Sequence, residues 1–338
     1  GASVPSSERT GCAVEACEGN GADLALIRVS TYDTLGEEVL YPEEFPTRSV
    51  NDDYDIGVRR DGTLAQVNTA ENSVLVGGRK GKGKTTTVYG FLGRYAEMVD
   101  VITCVIDLKG DVIRPFSMPY VEERAEYPVI DWPARTPAQG IRMCKALIRA
   151  AKARAASPQL AALKREHNMN MPPFSPDWPQ FMLFVDEGKG ITGSGVTDPE
   201  LVELARLIDT IREMYRGQGF NVFVTNLRTI ATAHGGTDAR VQSAILMLMS
   251  SKTEEIRNTF DDTAGISQAD FPHKGNALVA EDSGRPVAIA CYNALPDTVD
   301  RIAVACSGRH PDPGDAGLPR DSPLGPRPAR RDVPERRA

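Results

Sequence analysis

The residues best suited to chemistry begin with a glycine-rich stretch that contains G-x-x-x-x-G-K-[ST] in full. Its glycines let the backbone curl so that successive N–H groups point at phosphate oxygens, and a following helix adds its positive dipole end. Lys84 would reach the β- and γ-phosphates of a nucleotide, and the Thr85 hydroxyl would be a ligand of Mg²⁺. The predicted ATP-binding residues are Gly78, Arg79, Lys80, Gly81, Lys82, Gly83, Lys84, Thr85 and Thr86.

A second stretch supplies the acids that such a loop needs. In FMLFVDEGKG, from Phe181 to Gly190, an apolar run delivers two adjacent carboxylates. Asp186 would hold Mg²⁺ through its water shell, and Glu187 would polarise the attacking water. Adjacent acids at a strand end are common, but downstream of a complete phosphate loop they supply the other half of one catalytic site.

The surrounding pattern predicts strands and helices that position these residues. Apolar runs at Val74–Val76 and Val101–Gly110 are typical of buried parallel strands whose carboxyl ends reach the ligand edge. Asp107, at the end of the second run, is either a strand-end turn residue or a group near Mg²⁺ or a subunit contact. Asp61-Gly62 joins two strand-like runs within Asp55–Asn68, which predicts a hairpin at an edge of the sheet.

Helix signals alternate with these strands. Thr136 and Pro137 open one helix, and Thr197 or Asp198 caps another that has Pro199 in its first turn. A further strand is predicted at Asn221–Thr225. The alternation predicts an α/β fold with a mainly parallel central sheet and helices on both faces.

Composition limits the partners. The net charge of −7 gives no basic footprint over the 338 residues, so contact with nucleic acid would need a local cluster or a ring of subunits. No apolar run is long enough to cross a bilayer, so we expect no direct membrane insertion. The six cysteines form no CxxC pair, and three of them, Cys104, Cys144 and Cys306, fall in apolar segments where a free thiol behaves as a small hydrophobe, which favours a reducing cytoplasm.

Several ordered blocks carry a family resemblance: GGRKGKGKTTT, VIDLKG, FMLFVDE, YRGQGFNVFVTN, MSSKTEEIRNTFDD and GRPVAIACYNALPDTVDRI. From about Asp55 to Asp300 the chain resembles the motor domain of the FtsK/SpoIIIE family of hexameric double-stranded DNA translocases, including the FtsK-like conjugation proteins of mycelial bacteria. The resemblance implies a RecA-like P-loop NTPase fold, ATP and Mg²⁺ as cofactors, a homo-hexamer, and double-stranded DNA as partner.

The resemblance also implies roles for particular residues. Lys84 and Glu187 keep the catalytic roles given above. Asn226 takes the place of the family's polar sensor of the γ-phosphate, which is usually Gln and longer by one methylene. Arg216 matches the arginine that family members insert into the neighbouring subunit's site. The residues matching the DNA-contacting pore loops are Arg228, Arg240, Lys252 and Arg257, of which Lys252 aligns directly and the others are offset by one or two positions.

Four segments follow along the chain. We predict a disordered N-terminal segment (1–22), a small β-rich N-terminal addition (23–70), the RecA-like FtsK-type ATPase domain (71–306), and a disordered tail rich in Pro and Arg (307–338).

Three functions stay open at this point. The first is an ATP-driven DNA translocase for conjugative plasmid transfer or chromosome segregation. The second is a type VII-like protein-secretion ATPase, although such motors carry several of these domains and one phosphate loop occurs here. The third is a nucleotide-binding scaffold that hydrolyses poorly. We expect a cytoplasmic protein, which a membrane-anchoring partner protein would recruit to the inner face of the cell membrane.

Overall fold

The computed structural model describes residues 13–18, 25–30, 33–171, 173–186, 189–192, 196–226, 243–249, 252–263, 265–266, 268–281, 284–314 and 316–318. The strands within these ranges are β1 (Ala13–Glu18), β2 (Ala25–Ser30), β3 (Val39–Leu40), β4 (Tyr54–Arg59), β5 (Leu64–Val67), β6 (Val74–Gly78), β7 (Val101–Ile106), β8 (Trp132–Ala134), β9 (Gln180–Val185), β10 (Phe220–Asn226), β11 (Ile245–Met249), β12 (Asn276–Glu281) and β13 (Val287–Asn293). The α-helices are α1 (Lys84–Ala96), α2 (Ile113–Val121), α3 (Pro137–Ala155), α4 (Pro158–Glu166), α5 (Lys189–Thr192), α6 (Pro199–Met214), α7 (Thr253–Thr259) and α8 (Pro296–Ala305).

One large sheet organises the described residues. Its order is β5-β4-β13-β12-β11-β6-β10-β9-β7-β8, and β3 pairs with β13 off this path. The strands from β11 to β8 run parallel to one another, while β12, β13, β4 and β5 extend the sheet with antiparallel pairs. The mainly parallel sheet predicted from the sequence is therefore confirmed, and the predicted hairpin forms its edge as β4 and β5.

Helices cover both faces of this sheet, as predicted. On one face α1, α2 and α8 bury residues such as Phe91, Phe116 and Ile302 against the sheet. On the other face α3 and α6 bury residues such as Leu147 and Ile208. Strand residues alternate between the two clusters, because successive side chains of a strand point to opposite faces. This packing leaves the carboxyl edge of the parallel strands open for a ligand.

The capping signals read from the sequence place the helix starts correctly. The Thr136 side chain accepts a hydrogen bond from the Gln139 amide at the start of α3. Asp198, and not Thr197, caps α6, and its side chain accepts hydrogen bonds from the Glu200 and Leu201 amides. A proline follows each cap, where its missing N–H costs nothing.

A buried ion-pair network joins the phosphate-loop helix to the N-terminal addition. The Arg94 guanidinium of α1 lies 2.6 Å from Asp55 of β4 and 3.0 Å from Glu97. Tyr41 donates to Glu97, and Tyr292 donates to Asp55. Arg94 is 1% exposed, so its charge depends on these partners.

Two predicted segment limits are corrected by the structure. The segment 1–22, predicted as disordered, contains β1, which pairs antiparallel with β2. The tail predicted from residue 307 begins with residues packed on the domain, because His310 and Leu318 are buried. The His310 ring nitrogens lie 2.7 Å from Asp131 Oδ2 and 2.8 Å from the Tyr95 carbonyl oxygen. Local composition cannot reveal such contacts with residues far away in the chain.

Within the described ranges, no helix is both long and apolar enough to cross a membrane.

Candidate nucleotide-binding site

The glycine-rich stretch forms a tight loop between β6 and α1, in the strand–loop–helix context that the sequence predicts. Gly81 and Gly83 have φ angles of 82° and 103°, which side chains other than glycine rarely adopt. A Cβ atom on Gly83 would lie 3.2 Å from the backbone of Gly275. On Gly78 it would lie 2.9 Å from the Met249 side chain. The loop is therefore glycine-rich both for its curl and for close backbone packing.

The charged and hydroxyl groups of the loop are accessible. Lys84 Nζ donates to the carbonyl oxygens of Gly78 (2.7 Å) and Arg79 (3.1 Å), so it lies folded over the loop. Thr85 is exposed, and the Thr86 hydroxyl donates to the Gly83 carbonyl oxygen. A phosphate in this loop would replace the carbonyl partners of Lys84 with charged oxygens, which make stronger hydrogen bonds.

Asp186 follows β9 at the same edge of the sheet as the phosphate loop. β10 lies between β6 and β9, and its residue Asn226 pairs in register with Gly77. The Thr225 hydroxyl donates a 2.7 Å hydrogen bond to Asp186 Oδ1. The structure thus brings the loop, Asp186 and the end of β10 together. Glu187 lies outside the described residues.

The donor set fits a magnesium ion better than a metal held by protein side chains alone. Nowhere in the described ranges do three or more His, Cys, Asp or Glu side chains gather to hold a metal. Mg²⁺ typically binds one or two protein oxygens together with water and substrate phosphates. The exposed Thr85 hydroxyl and the half-buried Asp186 carboxylate are oxygen donors of this kind.

Acidic side chains also gather near α1. Burial raises the pKa of Tyr89 to about 12, and the nearby carboxylates of Asp111, Asp107 and Asp186 contribute to this shift. A negatively charged neighbourhood of this kind attracts a cation.

Asp107 has the turn role that was one of its two interpretations. Its carboxylate accepts hydrogen bonds from the amides of Lys109, Gly110, Val112 and Ile113, at 2.7 to 3.1 Å. These bonds hold the loop between β7 and α2. The carboxylate is therefore engaged in shaping the carboxyl edge of the sheet.

Arg216 lies at the opposite edge of the sheet from the phosphate loop. It is exposed in a one-turn 3₁₀ helix, Arg216–Gln218, just before β10 begins. From Phe220 to Asn226 the strand spans about 20 Å at 3.3 Å per residue. The structure therefore separates Arg216 from the loop of its own chain. It brings the β10 backbone at Asn226 to the site.

Two cations that the sequence did not single out hold the turn that carries Arg216. Lys164 Nζ donates to the Gly217 carbonyl oxygen at 2.6 Å, and Arg154 donates to the carbonyl oxygens of Pro179 and Gln218. Burial lowers the pKa of Arg154 to about 9, so it remains charged at neutral pH. Its guanidinium lies 4.6 Å from the centre of the Phe181 ring, a favourable cation–π distance.

The candidate DNA contacts are described only in part. Lys252 is exposed at the start of α7, three residues beyond the end of β11, and Arg257 is exposed in the last turn of α7. Arg228 and Arg240 lie outside the described residues. Met249 of β11 pairs with Gly78, so Lys252 lies on the phosphate-loop edge of the sheet.

None of Thr225, Arg154 and Lys164 is predicted from the sequence as a site residue. Thr225 directly precedes Asn226, and the strand pattern around it gave no hint of a bond to Asp186. Arg154 and Lys164 lie on α3 and α4, where a run of basic residues usually marks a solvated face. Only the folded chain brings them to the backbone of the Arg216 turn.

Solved structures with a similar fold were found, whereas neither a protein-family model nor a curated protein matches the chain. The pCW3 conjugation coupling protein TcpA, in its monomer form with ATPγS, is 14% identical, with a TM-score of 0.57 over 86% of this chain and 82% of that one. EssC (ATPases 2 and 3) from Geobacillus thermodenitrificans is 14% identical, with a TM-score of 0.57 over 80% of this chain and 51% of that one. Thermomonospora curvata EccC (ATPases 2 and 3), in complex with a signal sequence peptide, is 15% identical, with a TM-score of 0.51 over 75% of this chain and 43% of that one.

These similarities define the fold class. The chain has a RecA-like P-loop NTPase fold, with a mostly parallel central sheet and helices on both faces. It spans about half of the EssC structure, which contains two ATPases, and less than half of the EccC structure. At these identities the similarity concerns the fold, and the activity has to be argued from the site.

Proposed function

We propose that the protein is an ATP-driven double-stranded DNA translocase that acts as a homo-hexameric ring in conjugative plasmid transfer or chromosome segregation. The observation that carries the proposal is the separation of Arg216 from its own phosphate loop by the length of β10. An arginine acting on ATP from that position must come from a neighbouring copy. Head-to-tail contacts of this kind form a ring when the rotation between successive subunits closes, and we propose that it closes after six.

Each group of the site then has a task. The backbone amides of the phosphate loop and Lys84 bind the phosphates of ATP. Thr85 and Asp186 would hold Mg²⁺, which when bound neutralises charge on the β- and γ-phosphates. Glu187 orients the attacking water and accepts its proton. Asn226 senses the γ-phosphate, and Arg216 of the neighbour stabilises the charge that develops in the transition state.

Hydrolysis would be coupled to movement through the subunit interfaces. An interface closes when Arg216 meets the γ-phosphate of the adjacent site and opens when that phosphate leaves. Lys252 and Arg257, with Arg228 and Arg240, would contact DNA phosphates in the central pore. Six copies concentrate these cations despite the net charge of −7 per chain. Contacts to phosphates carry no base information, so movement should be largely independent of sequence.

The TcpA similarity supports the conjugative version of this proposal, because that protein is a conjugation coupling protein. A membrane-anchoring partner protein would bring the ring from the cytoplasm to the inner face of the membrane.

A DNA-dependence assay of ATP hydrolysis tests the proposal. The steady-state rate is measured without DNA, with linear duplex and with single strand, beside a Lys84→Ala variant. We expect strong stimulation by duplex and its loss in the variant. Lys84-dependent hydrolysis that neither nucleic acid stimulates would contradict a DNA motor in this chain.

A second candidate is a type VII-like protein-secretion ATPase, favoured by the similarity to EssC and EccC. The same assay separates the two, because a secretion motor would respond to a protein substrate and not to duplex DNA. A nucleotide-binding scaffold would show no substantial turnover under any of these conditions.

A further inference from the structure

Tyr89 of α1 lies beside both residues predicted to bind magnesium. It follows Thr85 by four residues, and side chains at this spacing are neighbours on one face of a helix. The carboxylate of Asp186 lies close enough to the phenol to contribute to the raised pKa of Tyr89, as do those of Asp111 and Asp107. The Tyr89 ring therefore stands where α1 meets the acidic carboxyl edge of the sheet.

The Tyr89 side chain joins α1 to the segment that follows β7. Its hydroxyl donates a 2.7 Å hydrogen bond to the carbonyl oxygen of Asp111, in the loop between β7 and α2. Its ring also meets the Phe116 ring of α2 edge-on, with 5.8 Å between the ring centres. The hydroxyl and the ring thus make separate contacts, which a single substitution can tell apart.

The loop that Tyr89 contacts is firmly shaped from within. The four amide hydrogen bonds that the Asp107 carboxylate accepts fix the backbone between β7 and α2. Asp107 itself is buried, so water does not compete for these bonds. Because the loop is stiff, one hydrogen bond to Asp111 ties the whole loop to α1.

The same loop begins beside Asp186. The Asp186 amide donates a 2.9 Å hydrogen bond to the carbonyl oxygen of Ile106, the last residue of β7. A short path of hydrogen bonds and backbone therefore leads from the Tyr89 hydroxyl, through the loop, to the backbone of Asp186. It connects α1, which carries Thr85, with the end of β9.

A magnesium ion would be sensitive to this connection. Thr85 and Asp186 belong to different elements, so their separation depends on how α1 lies against the sheet. Mg²⁺ requires nearly ideal octahedral geometry, with oxygen distances of about 2.0–2.1 Å. A small displacement of α1 would therefore weaken binding of the ion more than binding of the phosphates, which the loop backbone holds.

We infer that Tyr89 is a positioning residue for the magnesium ion of this site, acting through the hydrogen bond from its hydroxyl to the Asp111 carbonyl oxygen. The inference rests on the proposed function, since it concerns the metal that accompanies ATP in the same site. The bond holds α1 against the loop after β7 and so sets the separation between Thr85 and Asp186. The hydroxyl is already engaged by Asp111, so Tyr89 acts through position and not as a metal ligand.

Binding of a fluorescent ATP analogue, labelled on the ribose, tests the inference without relying on hydrolysis. The whole chain is titrated with the analogue in excess EDTA and at a series of free Mg²⁺ concentrations. We expect Tyr89→Phe to need about two- to tenfold more Mg²⁺ for half of the increase in affinity, as the loss of one hydrogen bond implies. The affinity of this variant in EDTA should equal that of the unmodified chain, because the phosphate loop is untouched.

Tyr95→Phe is a matched control on the same helix. The Tyr95 hydroxyl donates a 2.6 Å hydrogen bond to the buried Thr69 hydroxyl, about 9 Å further along α1. Tyr95→Phe should lower the free energy of unfolding and leave the Mg²⁺ dependence unchanged. Tyr89→Phe should do the opposite, because the bond from Tyr89 to Asp111 is exposed to water and contributes little to stability.

An unchanged Mg²⁺ dependence in Tyr89→Phe would overturn the inference and would show that the contact of the ring with Phe116 suffices. A loss of affinity that is equal with and without Mg²⁺ would also overturn it, because the hydroxyl would then support the phosphate loop. The proposed function would survive either result as long as binding depends on Lys84. Binding that persists in Lys84→Ala would instead overturn the proposed function.

Discussion

The Thr225 hydroxyl donates a 2.7 Å hydrogen bond to Oδ1 of Asp186, joining the ends of two neighbouring parallel strands. Thr225 is 1% exposed and directly precedes Asn226, so the bond ties the strand that carries the candidate γ-phosphate sensor to the candidate metal ligand. The bond fixes one carboxylate oxygen of Asp186. The orientation of the acid thus depends on a residue that would touch neither ATP nor metal.

A Thr225→Val variant tests this dependence. Valine keeps the shape and the strand preference of threonine but cannot donate to Asp186. We expect the Mg²⁺ concentration for half-maximal ATP hydrolysis to rise several-fold, with little change in the free energy of unfolding. Thr225→Ser, which retains the hydroxyl, should restore most of the response. A Mg²⁺ dependence that is the same in Thr225→Val and the unmodified protein would contradict the role of the bond.

The phosphate loop predicts a distinct effect of alanine at Gly83. At the positive φ angle of Gly83, any other residue type would be strained by about 1–2 kcal/mol. The added Cβ atom would also press on the backbone of Gly275. Gly83→Ala should therefore lose nucleotide binding, measured by fluorescence titration.

Gly62 offers a matched control for this variant. It has a similar φ of 81° in the hairpin turn, and nothing lies within 4 Å of the position of its Cβ. Gly62→Ala should carry the backbone strain alone and bind ATP normally. Equal losses of binding in both variants would show that the contact with Gly275 is irrelevant.

The buried network around Arg94 predicts a large effect on stability. Arg94→Met leaves the carboxylates of Asp55 and Glu97 buried without their cation, which should lower the free energy of unfolding by about 3–5 kcal/mol. Arg124 pairs with Glu122 and Asp300 on the surface, where solvent screens the charges, so Arg124→Met should lower the free energy of unfolding far less. Urea unfolding at pH 7 compares the two, and equal losses would contradict this account of the network.

The loss of stability in Arg94→Met should depend on pH, in a direction set by the pKa of Asp55. Burial raises the pKa of Asp55, but the hydrogen bond from Tyr292 and the charge of Arg94 outweigh it, so the pKa lies below its usual value. A lowered carboxyl pKa stabilises the folded state above the unfolded value of about 4, and this contribution is lost as the pH falls. Without Arg94 the Asp55 pKa rises. The difference in free energy of unfolding between Arg94→Met and the unmodified protein should therefore become smaller as the pH falls from 7 to 4. A difference that stays constant over this range would contradict the role of Arg94 in lowering the Asp55 pKa.

Much of the fold could be predicted because its signals are local. The glycines and Lys84 define a strand–loop–helix unit, and α1 begins at Lys84 as expected. Other signals are also contained in a few consecutive residues: the cap at Thr136, the proline after Asp198 and the Asp61-Gly62 turn. Alternation of such units then predicts a parallel sheet.

Features that depend on distant partners could not be predicted. The bond from Thr225 to Asp186 spans 39 residues of sequence, and His310 meets Asp131 across 179. From the sequence, His310 falls within the segment predicted as a disordered tail. Likewise, the bond from Tyr89 to the Asp111 carbonyl oxygen spans 22 residues and forms only in the folded chain.

The most direct test of the central claim is a mixing experiment with Lys84→Ala and Arg216→Ala. Each variant alone should hydrolyse ATP at near background rates in the presence of duplex DNA. In a random one-to-one mixture, about a quarter of the interfaces of a ring join an intact loop to an intact neighbouring arginine. We therefore predict recovery of about a quarter of the unmodified rate. A mixture that stays at background although both chains fold and co-assemble, or full activity of Arg216→Ala alone, would contradict an active site shared between subunits.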